Sequence, residues 1–303
     1  MSALLVRTSA KVNLCLRVLG RRADGYHEVE TVLHTIGVWD RLRLANTDAS
    51  IVVEVAAGNA PEGEPNLCWK AAALLAERVG VKRGARIILE KGIPLRSGLG
   101  GGSSDAAATL LGLARLWDLN LSPEELEALA AQVGADVPFF LRGGCCFARG
   151  MGEKLTPCPE PNLWLVLVAP ERGIPTGQAY ASLRRGATLG RRRATSRPTK
   201  RMLDALKSGD VASIAAALHN DFEAAKVAGI EDALRAKGEL LAAGCLGASM
   251  SGSGSAVFGI ARDHVHAEEV AAQLRPNWPW VTVASTVGAG HHLIISGETE
   301  GHA

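Results

Sequence analysis

With 303 residues, 47% of them hydrophobic and 21% charged, the chain has the make-up of a globular protein of about two domains, which excludes a disordered or fibrous chain. A net charge of +2 excludes a broad basic face for nucleic acid, so any electrostatic recognition is local. Six cysteines without a CxxC pair read as reduced thiols, and neither an 18-residue apolar run nor a secretory leader pattern is visible, so the expected location is the cytoplasm, with no membrane partner.

Residues 4–19 alternate as a strand, with Lys11, Asn13 and Cys15 on one face and Val12, Leu14 and Leu16 on the other. Asp24-Gly25 marks a turn between two strand-like segments. "DRLRLAN" and "SIVVEVA" read as strands, Asn66 to Val79 as a helix, and "ARIILEK" as the strand that leads to the glycines. Beyond them, Ala106 to Leu119 is apolar almost all round, as in a buried helix, with Ser103, Ser104 or Asp105 available as cap. A second helix opens at Ser122, with Pro123 in its first turn and Glu125 completing a capping box, and Gly134 ends it. "NLWLVLVAP" reads as a buried strand. A second lobe begins near residue 155, with helices over 199–208, 210–227, 231–243 and 264–274 and strands near 255–260 and 280–287. Strands and helices without regular alternation predict an α+β fold.

The stretch "GLGGGSSDAAATLLG" (98–112) concentrates glycine, the residue that is costliest to order, between a strand and a buried helix. That arrangement suits phosphate: loop amides point inward, and a helix N-terminus adds about half a positive charge. No Gly-Lys-Ser/Thr follows, so it is not a P-loop, and no acidic residue sits about 20 residues on at a second strand end, as a dinucleotide fingerprint requires. A tight turn with close helix packing is the competing reading. A second Gly/Ser loop, "GASMSGSGSAVFG" (247–259), suggests a polyphosphate held from two sides, although alone it reads equally as a flexible turn.

Phosphoryl transfer needs a clamp on the γ-phosphate, an acceptor for the hydroxyl proton and positive charge near the transferred group. Asp136 in "GADVPFF" is the best candidate base, with a turn aspartate as the alternative; Pro138 biases the backbone there to be extended. Lys11, if it faces inward, needs a partner that Asp136 would supply; otherwise it snorkels from an edge strand. No residues suggest a metal site: His264, His266, His291 and His292 have no matching cysteine or carboxylate set. Residues 184–201 carry eight Arg or Lys and no aromatic, which reads as a solvated loop before it reads as a nucleic-acid patch.

Four segments in order, "SAKVNLCLRVLGRRADGYHEVETVL", "IPLRSGLGGGSSDAAATLLG", "GADVPFF" and "SGSGSAVFG", resemble the GHMP small-molecule kinases, and the similarity spans about residues 8 to 288. The first segment resembles most closely the branch that acts on a cytidine diphosphate-linked methylerythritol in the non-mevalonate route to isoprenoid precursors. The resemblance implies an N-terminal lobe (1–154) like the second domain of ribosomal protein S5, binding ATP with Mg²⁺, and a ferredoxin-like C-terminal lobe (155–303) contributing to substrate binding. It implies transfer of the γ-phosphate to the 2-hydroxyl of that small molecule, with Asp136 as the catalytic aspartate and Lys11 as its support. Gly98, Leu99, Gly100, Gly101, Gly102, Ser103 and Ser104 match the ATP phosphate loop, with Asn66 and Lys91 near adenine. Asn13, Thr176, Gly252, Ser253 and Gly254 match substrate contacts. Tyr26 and Tyr180 match two rings that sandwich cytosine, with His27 reading its edge. The arginine-rich stretch and the tail beyond His291 match nothing in the family, and no Mg²⁺ ligand can be located. Alternatives are a homoserine or mevalonate type of GHMP kinase, and a non-catalytic nucleotide- or RNA-binding protein on the same scaffold.

Overall fold

The computed structural model describes residues 3–183, 195, 197–288 and 293–296. Two long strands form its spine. β1 (Ala3–Arg21) and β2 (His27–Thr47) pair antiparallel along almost their whole length, across a turn in which Gly25 takes φ 89° and the Asp24 carboxylate accepts from the Tyr26 N–H. β3 (Ile51–Ala57) and β4 (Gly84–Glu90) run parallel, with helix α1 (Leu67–Val79) between them in the chain. β5 (Cys145–Gly150) pairs with β2, and β6 (Lys154–Pro157) pairs with β5. Helices α2 (Gly101–Leu116), α3 (Pro123–Val133) and α4 (Val137–Arg142) join α1 over a first apolar core built on Leu42, Leu44, Ile87 and Leu89.

A second sheet begins with β7 (Trp164–Ala169). After α5 (Thr176–Ser182), α6 (Arg197–Ser208), α7 (Val211–Ala217) and the two-residue β8 (His219–Asn220), it continues through α8 (Ile230–Ala242), β9 (Gly247–Met250), β10 (Val257–Ala261), α9 (His264–Leu274) and β11 (Trp280–Ser285). Its order is β11-β7-β10-β9, all antiparallel, so its four strands lie fourth, first, third, second, the ferredoxin-like order. One face packs on the first sheet through Leu165, Leu167, Phe258 and Ile260; the other carries α8 and α9 over Val166, Val168 and Val257. The expected α+β architecture is what forms. Chain position and sheet membership interleave, because β6 and β8 belong to the first sheet, as does β12 (Leu293–Ser296), which pairs with Leu4–Arg7 of β1. Part of the unmatched tail is therefore an edge strand.

Several local expectations are corrected. The face pattern of β1 holds for Lys11 and Asn13 but breaks at Cys15, because a register shift between Asn13 and Cys15 puts Cys15 in the same core as Leu14. Helix α2 starts at Gly101, five residues earlier than its apolar pattern suggests, with Gly100 as N-cap and no side-chain cap. Ser104 instead turns its hydroxyl onto the Ser9 carbonyl. The segment 210–227 is not one helix: α7 ends at Ala217 and Asn220 caps a short 3₁₀ turn. Pro138 starts a helix rather than an extended segment, since at the second position of α4 its missing N–H costs nothing, and Asp136 is helical at φ −85°. The Ser122–Glu125 capping box forms as expected. Most of the arginine-rich stretch lies outside the described residues, but Arg197 to Arg201 open α6.

Candidate active site

The two Gly/Ser loops meet over β1. The Ala256 N–H donates to the Ser97 carbonyl at 2.8 Å, and the Ser251 hydroxyl donates to the Gly98 carbonyl at 3.0 Å. Lys11 closes the junction: its N–H donates to Leu99 O and its ammonium to Gly98 O and Asn13 Oδ1, each at 2.6 Å for the side chain. Asn13 is saturated in turn, giving Nδ2 to Thr31 Oγ1 at 2.8 Å and accepting from the Gly252 N–H at 2.8 Å. Asn220 draws in Met250 O and Gly252 O from the far side. What approaches the first glycines is therefore largely the protein itself. A Cβ on Gly98, at φ 82°, would lie 2.1 Å from Ser251 O, and one on Gly100 would lie 2.7 Å from the Phe140 ring. A Cβ on Gly102 meets only Leu67, at an ordinary 3.7 Å. Gly101, Gly102 and Ser103 begin a 16-residue helix, so their N–H groups have no intrahelical acceptor and face the cleft beside them. That cradle fits phosphate oxygens.

The cleft, of about 500 Å³, is lined by this cradle together with Asp136, Met151, Gly152, Tyr180, Phe222 and Thr176, whose hydroxyl shares a 2.8 Å hydrogen bond with the Ser253 hydroxyl of the second loop. Asp136 is half-buried and accepts no hydrogen bond from the described residues. Its charge is felt at two neighbours. Burial pulls the Lys11 ammonium below its ordinary range while the Asp136 carboxylate pulls it back. Burial, helped by the same carboxylate, pushes the Tyr180 phenol up to about 12. Lys11 and Asp136 thus interact through space; the direct partners of the lysine are Asn13 and Gly98.

Models of the GHMP kinases N terminal domain and of the GHMP kinases C terminal region match residues 66–144 and 202–279. The chain is 44% identical over 281 residues to the 4-diphosphocytidyl-2-C-methyl-D-erythritol kinase of Pelotomaculum thermopropionicum, covering 91% of this chain and 96% of that protein. The enzyme of the same name from Moorella thermoacetica is 42% identical over 288 residues, covering 95% and 100%. A crystal structure of 4-(cytidine 5'-diphospho)-2C-methyl-D-erythritol kinase superposes with a TM-score of 0.76 at 37% identity, covering 95% of this chain and 100% of that one. The chain belongs to the GHMP kinase family. It is an ATP-dependent small-molecule kinase.

Of the residues expected at the site of this GHMP kinase, the cleft brings together Lys11, Asn13, Asn66, Lys91, Gly98, Gly100, Gly101, Gly102, Ser103, Asp136, Thr176, Tyr180, Gly252 and Ser253. It leaves out Leu99, which is fully buried; Ser104, which is tied to β1; and Gly254, packed against Met250 and Ile174. Tyr26, 62% exposed, and His27 stand off the cleft lining. His27 stacks on Tyr180 with ring centroids 4.6 Å apart, and Phe222 meets the Tyr180 ring edge-on at 4.8 Å, so the place expected for a base on Tyr180 is held by His27.

Two expected adenine contacts have structural duties. Asn66 caps α1, accepting from the Cys68 N–H at 2.9 Å, and its amide donates to Pro61 O. Lys91 is buried between the carboxylates of Asp40 and Asp105; burial alone would lower its ammonium, but the two carboxylates hold it above its usual range. Burial raises the Asp105 carboxyl, and its Oδ1 has no partner. Sequence reasoning missed Asp40, Thr31, Asn220 and Phe222. Asp40 and Thr31 carry no local signature, whereas "HND" at 219–221 interrupts the supposed helix with a good capping residue and was a usable signal.

Proposed function

We propose that this kinase transfers the γ-phosphoryl group of ATP to the 2-hydroxyl of 4-diphosphocytidyl-2-C-methyl-D-erythritol, in the non-mevalonate route to isoprenoid precursors. Residues 1–154 bind the nucleotide and 155–303 add substrate contacts. The observation that carries this reading is that Asp136, which accepts no hydrogen bond from the described residues, lines one cleft with the amide cradle, Lys11 and Tyr180, and that its charge is felt at both Lys11 and Tyr180. The names of relatives above 40% identity supply the substrate.

In this reading the first-turn amides of α2 and the Ser103 hydroxyl hold the phosphates. Asp136 orients the acceptor hydroxyl and takes its proton, and Lys11 stabilises charge on the group in transfer. Mg²⁺ would neutralise the phosphates. Among the described residues no cluster of three or more His, Cys, Asp or Glu is placed to bind a metal, so phosphate oxygens and water would make up most of the ion's shell. Cytosine recognition falls to Tyr26, His27 and Tyr180: a base entering against Tyr180 displaces the His27 ring from that face and frees its polar edge to read the base.

The test is ADP release with a panel of alcohols including homoserine and mevalonate. Turnover is expected on the diphosphocytidyl substrate alone, and its absence there would end this reading. Asp136→Asn should lower kcat by about 10²-fold or more, the scale of a lost general base. Full activity in that variant would exclude the assigned role.

A further inference from the structure

β5 and β6 form a hairpin whose tip belongs to the cleft: Met151 and Gly152 line it, and a Cβ on Gly152 would stand 3.8 Å from Asp136 Oδ1. Its base holds two thiols that phosphoryl transfer does not use. The ladder runs from Arg149↔Lys154 to Cys146↔Pro157, and one step further the Cys158 N–H donates to the Cys145 carbonyl at 2.9 Å. Cys145 and Cys158 are therefore directly opposed, and both pack on the apolar core between the two sheets, whereas Cys146 points the other way into the core under α2. Directly opposed residues of an antiparallel pair hold their Cβ atoms about 4.5–5.5 Å apart, and a disulfide needs about 3.5–4.5 Å, so a small movement of one strand closes the gap.

The chemistry of the pair is asymmetric. Cys158 is half-buried and Cys145 is buried. The Cys158 thiol donates to the Thr156 carbonyl at 3.8 Å; the neighbouring Cys145 side chain draws it down to about 7, with the Phe147 backbone and Lys207 helping, while Cys158 and burial push Cys145 up. Burial raises the other four thiols, at Cys15, Cys68, Cys146 and Cys245. Cys158 thus has the accessibility and thiolate character of an attacking sulfur, and its neighbour is placed to resolve the product.

We propose that Cys158 and Cys145 are a reversible oxidation site, in which a hydroperoxide converts the pair to an intramolecular disulfide that staples the base of the hairpin walling the cleft. The Cys158 thiolate attacks the peroxide; the O–O bond breaks, an alcohol or water leaves, and Cys158 becomes a sulfenic acid. The Cys145 sulfur then displaces the sulfenic oxygen, which leaves as water with the Cys145 proton as the S–S bond forms. A dithiol reverses the change.

The experiment treats the full chain with hydrogen peroxide, blocks free thiols, and maps the peptides by mass spectrometry without reduction. A Cys145–Cys158 link lighter by two hydrogens, two fewer alkylated thiols and full recovery with dithiothreitol are expected. Amide exchange at Met151 and Gly152 should slow on oxidation. The link should persist in Cys146→Ala and vanish in Cys158→Ser, a change at a half-exposed position that leaves the buried Cys145 in place. Oxidation of Cys158 to sulfinic acid with Cys145 still alkylated, a link to any other cysteine, or unchanged exchange at the tip would overturn the proposal. None of these readouts depends on phosphoryl transfer.

Discussion

Gly98 and Gly102 stand four residues apart and answer to different neighbours. At Gly98 an added methyl would take a left-handed conformation costing about 1–2 kcal/mol and strike the Ser251 carbonyl, so Gly98→Ala should lower the urea midpoint sharply and separate the two loops. At Gly102 the methyl is accommodated within a helix, and Gly102→Ala should leave stability unchanged or raise it by about 0.5–1 kcal/mol. Standing over the amide cradle, that methyl should instead raise the KM for ATP. A Gly98→Ala variant as stable as the parent would mean that the loops do not rest on each other. His34 supplies a pH-dependent term. Burial pushes its imidazole from 6.5 down to about 4, against a weaker opposing pull from the backbone of Pro161 and Thr35. Between those values the unfolded chain binds the proton and the folded one does not, so stability is full above pH 6.5 and falls as the pH drops toward 4, by about 3 kcal/mol. Urea midpoints at pH 7 and 5 should differ less in His34→Phe than in the parent.

Among elements, those with a chemical signature at their ends were legible in the sequence. Helix α3 is announced by Ser122, Pro123 and Glu125, and Ser122→Ala should cost about 1 kcal/mol in thermal or urea denaturation; no loss would mean that the capping box is incidental. Strand β7 is announced by an unbroken apolar run. Elements whose limits depend on distant contacts were not legible. The start of α2 hides among glycines because the packing of Phe140, Ile93 and Ser251 against them selects glycine there, not helix propensity. The face of Cys15 depends on a bulge, and strand periodicity carries no mark of one. At the site, the glycine cradle, Asp136 and Lys11 were visible as motifs. The partners of Lys91 were not, since Asp40 lies 51 residues away and is joined to it only by folding. Nor was the stacking of His27 on Tyr180, which joins the β1–β2 turn to α5.

At the scale of the whole molecule, β1 threads all the apolar cores. Leu4 and Val6 lie in the first, Ala10, Val12 and Leu14 in the second, and Leu16 and Val18 in the third. Each half of the chain therefore completes its interior with residues of one continuous strand. Thermal unfolding followed by far-ultraviolet circular dichroism and by tryptophan fluorescence should give superimposable single transitions, and two resolved steps would contradict a shared interior. Lys11 and Asn13 stand midway along that strand, both buried and tied by hydrogen bonds to the two Gly/Ser loops. Nucleotide and acceptor would then meet over an anvil that holds still, while adjustment to cargo of different shape is left to the hairpin and loops around it.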